Sequence, residues 1–436
     1  MHISKRTFVR LTALAAVFYS GMAWAATVEV GACKNGYVQY GTIQDAVNAA
    51  PTGATVLICP GNYPEQVTIS KSLTLRGLEV QFASGAVILA PSVGVVANAT
   101  SLVTGNPIAA QVLVRNASDV DLSNVTVDGA NNGIVDCSPL LIGIFYENAS
   151  GDISHVAVLN EALASGQNGC QSGLAIFAQS GNGGSSNLRV RNTVVQGYQK
   201  NGITGNEPGT SVTITDNSVT GQGPTNGAAE NGIQIGYGAQ GQVIGNTVID
   251  DIWAPDTITD RGNAASGILV YASSDVIVHN NTIGNAQFGI ALVTDSKVGA
   301  ADGNHITWNR VSAAHIFDGI EVCSNNNVIH DNTINRADES GIHVDGSCTN
   351  SDSSGTGKGN RVRGNAINSS CAGILIGSST SAAANFIFNN DFLNVGSTIL
   401  SGDQCSGPMT TPLASVRANA GASIPTGPSH ASPIRP

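Results

Sequence analysis

The stretch DGIEVCSNNNVIHDNTINRADESGIHVDGSC, Asp318 to Cys348, says nearly the same thing twice. DGIEVC opens it, SGIHVDGSC closes it, and Gly319 and Gly341 stand 22 residues apart. The same glycine phrase, Gly followed by Ile or Leu, recurs at Gly143, Gly173, Gly202, Gly232, Gly267, Gly289, Gly319, Gly341 and Gly373. The intervals are 30, 29, 30, 35, 22, 30, 22 and 32 residues. Between these lies a second phrase, an Asn with Ile or Val two places on, at Asn192, Asn217, Asn246, Asn281, Asn309, Asn332 and Asn365. Each unit reads as two or three short strands of alternating apolar residues. Gly and Asn mark bends that need left-handed backbone. One such unit cannot bury its apolar face alone, but stacked copies can. Twenty-two residues suit one coil of three short strands at about 3.3 Å per residue plus bends. The expected fold class is all-β, a parallel β-helix built as one solenoid domain over residues 26–405.

The ends differ from the repeat. Lys5, Arg6 and Arg10, the apolar run 11–22 and Ala23-Trp24-Ala25 read as a cleavable secretory leader, residues 1–25. Its removal takes the formal charge from −11 to −14. An acidic chain disfavours nucleic acid and anionic lipid as partners. A polyanionic polysaccharide would need a metal bridge or a local basic patch. No membrane span is expected, and the chain is expected to be a monomer, periplasmic or secreted. All eight cysteines follow the leader, with no Cys-x-x-Cys. That suits disulfides rather than zinc. Sequential pairs are expected: Cys33–Cys59, Cys137–Cys170, Cys323–Cys348 and Cys371–Cys405. Residues 42–50 read as a short helix, capped by Thr42 with Asp45 three places on and stopped by Pro51. It would cover the open end of the coil. Residues 406–436 are rich in Pro, Ser, Gly and Ala and read as a disordered tail.

The stretch TIQDAVNAAPTGATVLICPGNYPEQVTISKSLTLRG, residues 42–77, resembles the opening of pectinesterases and of many proteins of the pectin-lyase-like superfamily. The later NNTI and SGI units resemble that superfamily's repeats, so the likeness covers most of residues 40–400. It implies a right-handed parallel β-helix and, often, a polysaccharide lyase, hydrolase, esterase or epimerase. The catalytic signatures of those families do not carry over. FDGIEV, residues 317–322, matches the polygalacturonase pattern only at Asp318, Gly319 and Ile320.

Two places could hold chemistry. Strand alternation turns Ile320, Val322, Ile342 and Val344 inward, and Glu321, Cys323, His343 and Asp345 outward. On adjacent coils Glu321 would lie about 4.8 Å from His343, with Glu321 and Asp345 about 8 Å apart. Paired carboxylates at roughly 6.5–9.5 Å suit an inverting glycosidase. Glu321, His343, Asp345 and Asp318 are therefore the candidate catalytic set. The simpler reading is a solvated ladder in which an acid pairs with a neighbouring His. The second place is the insertion DDIWAPDTITDRG, residues 250–262. Asp250, Asp251, Asp256 and Asp260 are candidate calcium ligands. Trp253, Arg261 and Tyr271 are candidate sugar contacts. A decorated surface loop is the simpler reading there.

The function expected is binding, with cleavage as the finer expectation, of an extracellular polysaccharide. A non-catalytic surface scaffold or adhesin is the rival. A periplasmic helper of a metalloenzyme is a third reading, weakened by the lack of a recognisable Met, His or Cys metal site. A groove of carboxylates and aromatics favours the enzyme; a uniform Ser/Thr/Asn surface favours the scaffold.

Overall fold

The computed structural model describes residues 26–78, 85–253, 264–346, 356–405 and 416–418. Within them the chain winds as a parallel β-helix. A 14-stranded sheet forms one wall, and a 23-stranded sheet supplies two further ladders joined at bends. Neighbouring coils pair in parallel throughout the repeat, including Ile320 with Ile342 and Glu321 with His343. The architecture is thus the parallel β-helix that the repeat and the opening residues led one to expect.

The apolar halves of the strands face inward and stack coil on coil. One column runs Leu75, Leu122, Ile153, Val190, Ile214, Val243, Val278, Ile306, Ile329, Val362, Ile387. Every member is buried. The isoleucines of the glycine phrase make a second column that passes through Ile290, Ile320, Ile342 and Ile374. The glycine before each is forced by close approach. A Cβ on Gly319 would lie 2.7 Å from the Gly341 carbonyl oxygen, and one on Gly341 would lie 2.8 Å from that of Gly373. In the second unit the repeat place belongs to Ala175, because Ile176, not Leu174, pairs with Ile144 and Ile203. Gly173 is therefore not a repeat glycine.

The repeat asparagines form an internal ladder. The backbone N–H groups of Asn246, Asn281, Asn309 and Asn332 donate to the side-chain oxygen of the next coil's Asn at 2.9–3.0 Å. Here too one place shifts. Thr193 stands in the ladder below Asn217, while Asn192 occupies the left-handed bend with φ of 50°. A second asparagine ladder, Asn304, Asn327, Asn360 and Asn385, lies at another corner.

The capping helix spans Ile43–Ala49, with the Thr42 hydroxyl accepting from the Asp45 N–H at 3.1 Å. Cys33–Cys59, Cys137–Cys170 and Cys371–Cys405 are bridged as expected. Cys323 is also disulfide-bonded, and its expected partner Cys348 lies outside the described residues. The leader, residues 1–25, lies outside them as well. Of the tail, Val416–Ala418 pairs antiparallel with Asn390–Phe392. No helix among the described residues is long and apolar enough to cross a membrane.

Candidate functional site

Asp318, Glu321 and His343 come together, but not on a solvated surface. Glu321 and His343 are each 5% exposed and Asp318 is 1% exposed. The outward expectation needs a correction. Alternation does turn Glu321 and His343 away from the coil interior, yet this outer wall is covered. The row that holds them reads Phe145, Phe177, Thr204, Gln234, Leu269, Ala291, Glu321, His343, Leu375. All of these residues are buried. Large apolar residues at outward places were the legible sign that something packs over this wall.

The Nδ1 of His343 sits 3.1 Å from Glu321 Oε2 and 3.5 Å from Asp318 Oδ2. Asp318 Oδ1 also accepts from the Ser340 N–H at 3.0 Å and the Ser340 hydroxyl at 2.5 Å. His343 Nε2 is buried without a hydrogen-bond partner. Burial pushes Asp318 toward its protonated form, but the hydrogen bond and charge of His343 outweigh it and hold the carboxyl below its usual value. For Glu321 burial wins over His343, and its carboxyl is held well above the usual value. Burial works against a charged His343, and the facing carboxyls overcome it, so its pKa is raised. Two carboxyls on one coil are thus driven apart in acidity. The Sγ of Cys323 lies 2.8 Å from Glu321 Oε1, a contact without a thiol proton because the cysteine is bridged. Asp345 is 2% exposed and engaged elsewhere, with the Gly346 N–H and the Ser379 hydroxyl.

The insertion behaves differently from its expected role. Asp251 is fully buried, and its Oδ1 accepts from the Tyr198 hydroxyl at 2.6 Å. Asp250 accepts from Asn285 Nδ2 at 2.5 Å. The two carboxylates point to different partners and do not form the mouth of a calcium cage. Asp256, Asp260 and Arg261 lie outside the described residues. Trp253 is half-buried. Tyr271 is 3% exposed in an outer apolar cluster with Tyr237, Leu269, Phe288 and Phe317, and its hydroxyl donates to Asp295. It is not the wall of an open groove.

An open polar surface lies elsewhere, on the outer face of the 14-stranded sheet. A cleft of about 660 Å³ there is lined by Arg76, Asp121, Asp152, Arg189, Arg191 and His155, among others. Asp152 bridges Arg189 at 3.4 Å and Arg191 at 3.1 Å. The Asp152 N–H donates to Asp121 Oδ1 at 3.1 Å. Burial raises the Asp121 carboxyl, the Asp152 N–H opposes that rise, and the Asp152 charge adds to it. The same two outward rows continue through His279, His305 and His330 to Arg361, Arg363, Phe386 and Phe388. Trp308, 56% exposed, stands at the bend on their edge. Sequence reading passed over this face because its charges are spread one or two per coil along some 300 residues and only the stacking gathers them.

A family model described as "Periplasmic copper-binding protein (NosD)" matches residues 215–406. No curated protein matches the chain. Among solved structures, an endo-xylogalacturonan hydrolase from Aspergillus tubingensis is 12% identical, with 93% of this chain and 100% of that chain covered and a TM-score of 0.54. A GH87 alpha-1,3-glucanase catalytic unit from Streptomyces thermodiastaticus is 17% identical, with 89% and 65% covered and a TM-score of 0.54. The chain thus spans just under two thirds of the length of that glucanase unit. A GH136 lacto-N-biosidase from Eubacterium ramulus is 11% identical, with 84% and 67% covered and a TM-score of 0.52. At such identities the likeness is one of fold.

These findings correct the cofactor expectation. Calcium takes six to eight oxygen ligands. The convergent donors are instead one imidazole and two carboxylates, Asp318, Glu321 and His343, all within 4.8 Å of one another. That mixed set suits a borderline transition-metal ion better than calcium, and the family whose model matches residues 215–406 is described as copper-binding, not calcium-binding. A second group, Glu29 with Cys33 and Cys59, is not comparable, since its two sulfurs are joined to each other.

Proposed function

We propose that the protein acts on an extracellular polysaccharide of anionic, uronate-like character, held along the outer face of the 14-stranded sheet. The observation that carries this reading is a charge asymmetry. The chain beyond the leader has a formal charge of −14, yet five of its 16 Lys and Arg, namely Arg76, Arg189, Arg191, Arg361 and Arg363, lie on two adjacent rows of one wall. Set against Asp121 and Asp152 in the same rows, the five arginines leave those rows net positive, the local basic patch that an anionic chain requires. Arginine suits it, because its planar fork bonds carboxylates in pairs. Exposed Trp308, Phe386 and Phe388 offer apolar faces for sugar rings on the same wall. The ladder on the next wall differs. It runs Ser218, Thr247, Thr282, Arg310, Thr333, the mostly hydroxyl surface expected of a scaffold. The fold likeness to carbohydrate-acting enzymes agrees with this reading, and three disulfides suit an oxidising compartment. Cleavage is not assigned to Glu321 or His343, because a glycosidic bond does not reach side chains so deeply buried.

The test is a binding panel of polyuronates against neutral glucans, with reducing ends and unsaturated products followed in parallel. Polyuronates should bind, and affinity should fall steeply with salt. A double variant Arg189→Ala, Arg191→Ala should bind about 10-fold more weakly, as expected for the loss of charge-assisted bonds. Equal affinity for neutral glucans, or no binding to any glycan, would contradict the proposal.

A further inference from the structure

We propose that the wall takes its polyuronate lengthwise, as one chain lying along the solenoid axis and anchored at two cationic clusters six coils apart. The proposal rests on the reading of this wall as a polyuronate surface and adds the ligand's direction and minimum length. Register sets the spacing. The row through Arg189 continues as Thr213, Gln242, Ile277, His305 and Val328 and arrives at Arg361. The row through Arg191 continues as Thr215, Ile244, His279, Thr307 and His330 and arrives at Arg363. Both paths take the same six steps, roughly 29 Å at about 4.8 Å per coil.

The two ends differ in how much of their charge is already paired. Arg76, Arg189 and Arg191 stand around the polar cleft, where Asp121 and the two bridges from Asp152 offset part of their charge. Arg361 and Arg363 make no ion pair among the described residues. The Arg361 guanidinium stands 5.9 Å from the centre of the Phe386 ring, a contact with its flat face that leaves its N–H edge for carboxylates. Between the clusters the two rows hold hydroxyls, one amide, imidazoles and aliphatic side chains, and no carboxylate. All of these except Thr307 are reached by solvent. An anionic chain laid along the rows therefore meets no acid of theirs between one cluster and the next.

Screening makes the two clusters independent. At physiological ionic strength the field of an exposed charge decays over about 8 Å. Clusters roughly 29 Å apart do not feel each other, and a short anion meets one or the other. A chain long enough to reach both turns its second contact into an intramolecular one, at an effective concentration set by its length and stiffness. A hexuronate unit is about as long as one coil is high, so about six or seven sugars bridge the gap. A ligand lying across the wall would meet only one cluster, whatever its length. Direction along the axis and a threshold in length are thus one claim.

The experiment is calorimetric titration of the purified protein, at fixed salt, with size-defined oligouronates from disaccharides upward. Affinity should stay weak and nearly flat for short oligomers, then rise by at least about 10-fold once the extended oligomer spans roughly 29 Å. In the double variant Arg361→Ala, Arg363→Ala, short oligomers should still bind at the cleft and the rise should vanish. Gln242→Glu, which sets a negative charge midway along the path, should weaken long oligomers and spare short ones. These substitutions stand at outward places of the strands, and circular dichroism checks that each variant is folded; should the alanine pair unfold, Arg361→Gln with Arg363→Gln replaces it. A smooth dependence on length, a rise that survives the double variant, or equal weakening of short and long oligomers by Gln242→Glu overturns the lengthwise track while the polyuronate reading stands. Absence of binding at every length removes that reading and the track with it.

Discussion

Trp308 shows how much a single residue can carry. Its φ is 59°, a left-handed backbone that bulky side chains rarely adopt. The same bend in neighbouring coils holds Asp216, Gly245, Asn280, Asp331, Gly364 and Asn389, residues that tolerate this conformation. A tryptophan there is strained by about 1–2 kcal/mol, and strain of this kind gathers at functional positions. Trp308→Asn should therefore raise thermal stability while weakening polyuronate binding. A variant that lost stability, or kept full affinity, would remove Trp308 from the binding face. The sequence showed Trp308 next to the repeat Asn309, but the strain appears only once the bend is built. Glu321 and His343 teach a related lesson. Their pairing was legible from the 22-residue spacing, whereas alternation alone says nothing about what covers the outer side of a strand; only the large apolar residues elsewhere in the row, Phe145, Phe177 and Leu269, signal their burial.

Buried acids inside the coil also set a pH dependence at this scale. Glu230 is fully buried and pushed up to about 10, mainly by burial and then by the Asp251 charge. Its unfolded value lies near 4.5. Below that value both states hold the proton and no stability is lost. Above it the unfolded chain ionises while the folded one does not, so stability falls steadily as pH rises toward 10. Asp251, raised by burial, acts in the same direction. Lys200, lowered to about 8 by burial, acts oppositely, favouring the fold as pH rises from about 8 toward 10.5. Two buried acids outweigh one amine over the neutral range. Melting temperature should fall between pH 5 and pH 8, and Glu230→Gln should flatten that slope and gain on the order of 1 kcal/mol or more at pH 8. A parent slope that the variant leaves unchanged would locate the effect elsewhere.

Among the elements, the asparagine ladder is the part that ties coil to coil. Asn309 accepts from the Asn281 N–H at 3.0 Å and donates to the Val278 carbonyl at 2.9 Å. Alanine would leave both of those buried groups without partners. Asn309→Ala should cost about 2–4 kcal/mol, measured by chemical denaturation. Loss of less than about half a kcal/mol would mean that water replaces the side chain. The ladder could be read in advance wherever Asn, Ile and Val keep their spacing. It slipped by one residue at Asn192 because the pair Asn192-Thr193 offers two polar candidates and only strand register decides between them. The second ladder was missed because Asn304, Asn327, Asn360 and Asn385 follow loops of unequal length that hide the period. The helix Ile43–Ala49 was readable because its cap and its stop are local signals.

For the whole molecule, the solenoid converts sequence period into surface rows. Each row is a list of residues about 4.8 Å apart, whatever their distance along the chain. Fold class was legible because every unit repeats the same inward pattern. Function was less so, because outward places vary freely and their meaning depends on what the stack gathers. The two arginine rows, the exposed aromatics and the polar cleft are all products of that gathering. Hydroxyl-radical footprinting with and without a polyuronate tests the resulting account most directly. Trp308, Phe386, Phe388 and His305 are exposed on this face, and Leu393 is exposed on a strand of the 23-stranded sheet. The polyuronate should protect the first four and leave Leu393 unchanged. Protection confined to other surfaces, or uniform oxidation with bound polyuronate, would contradict it.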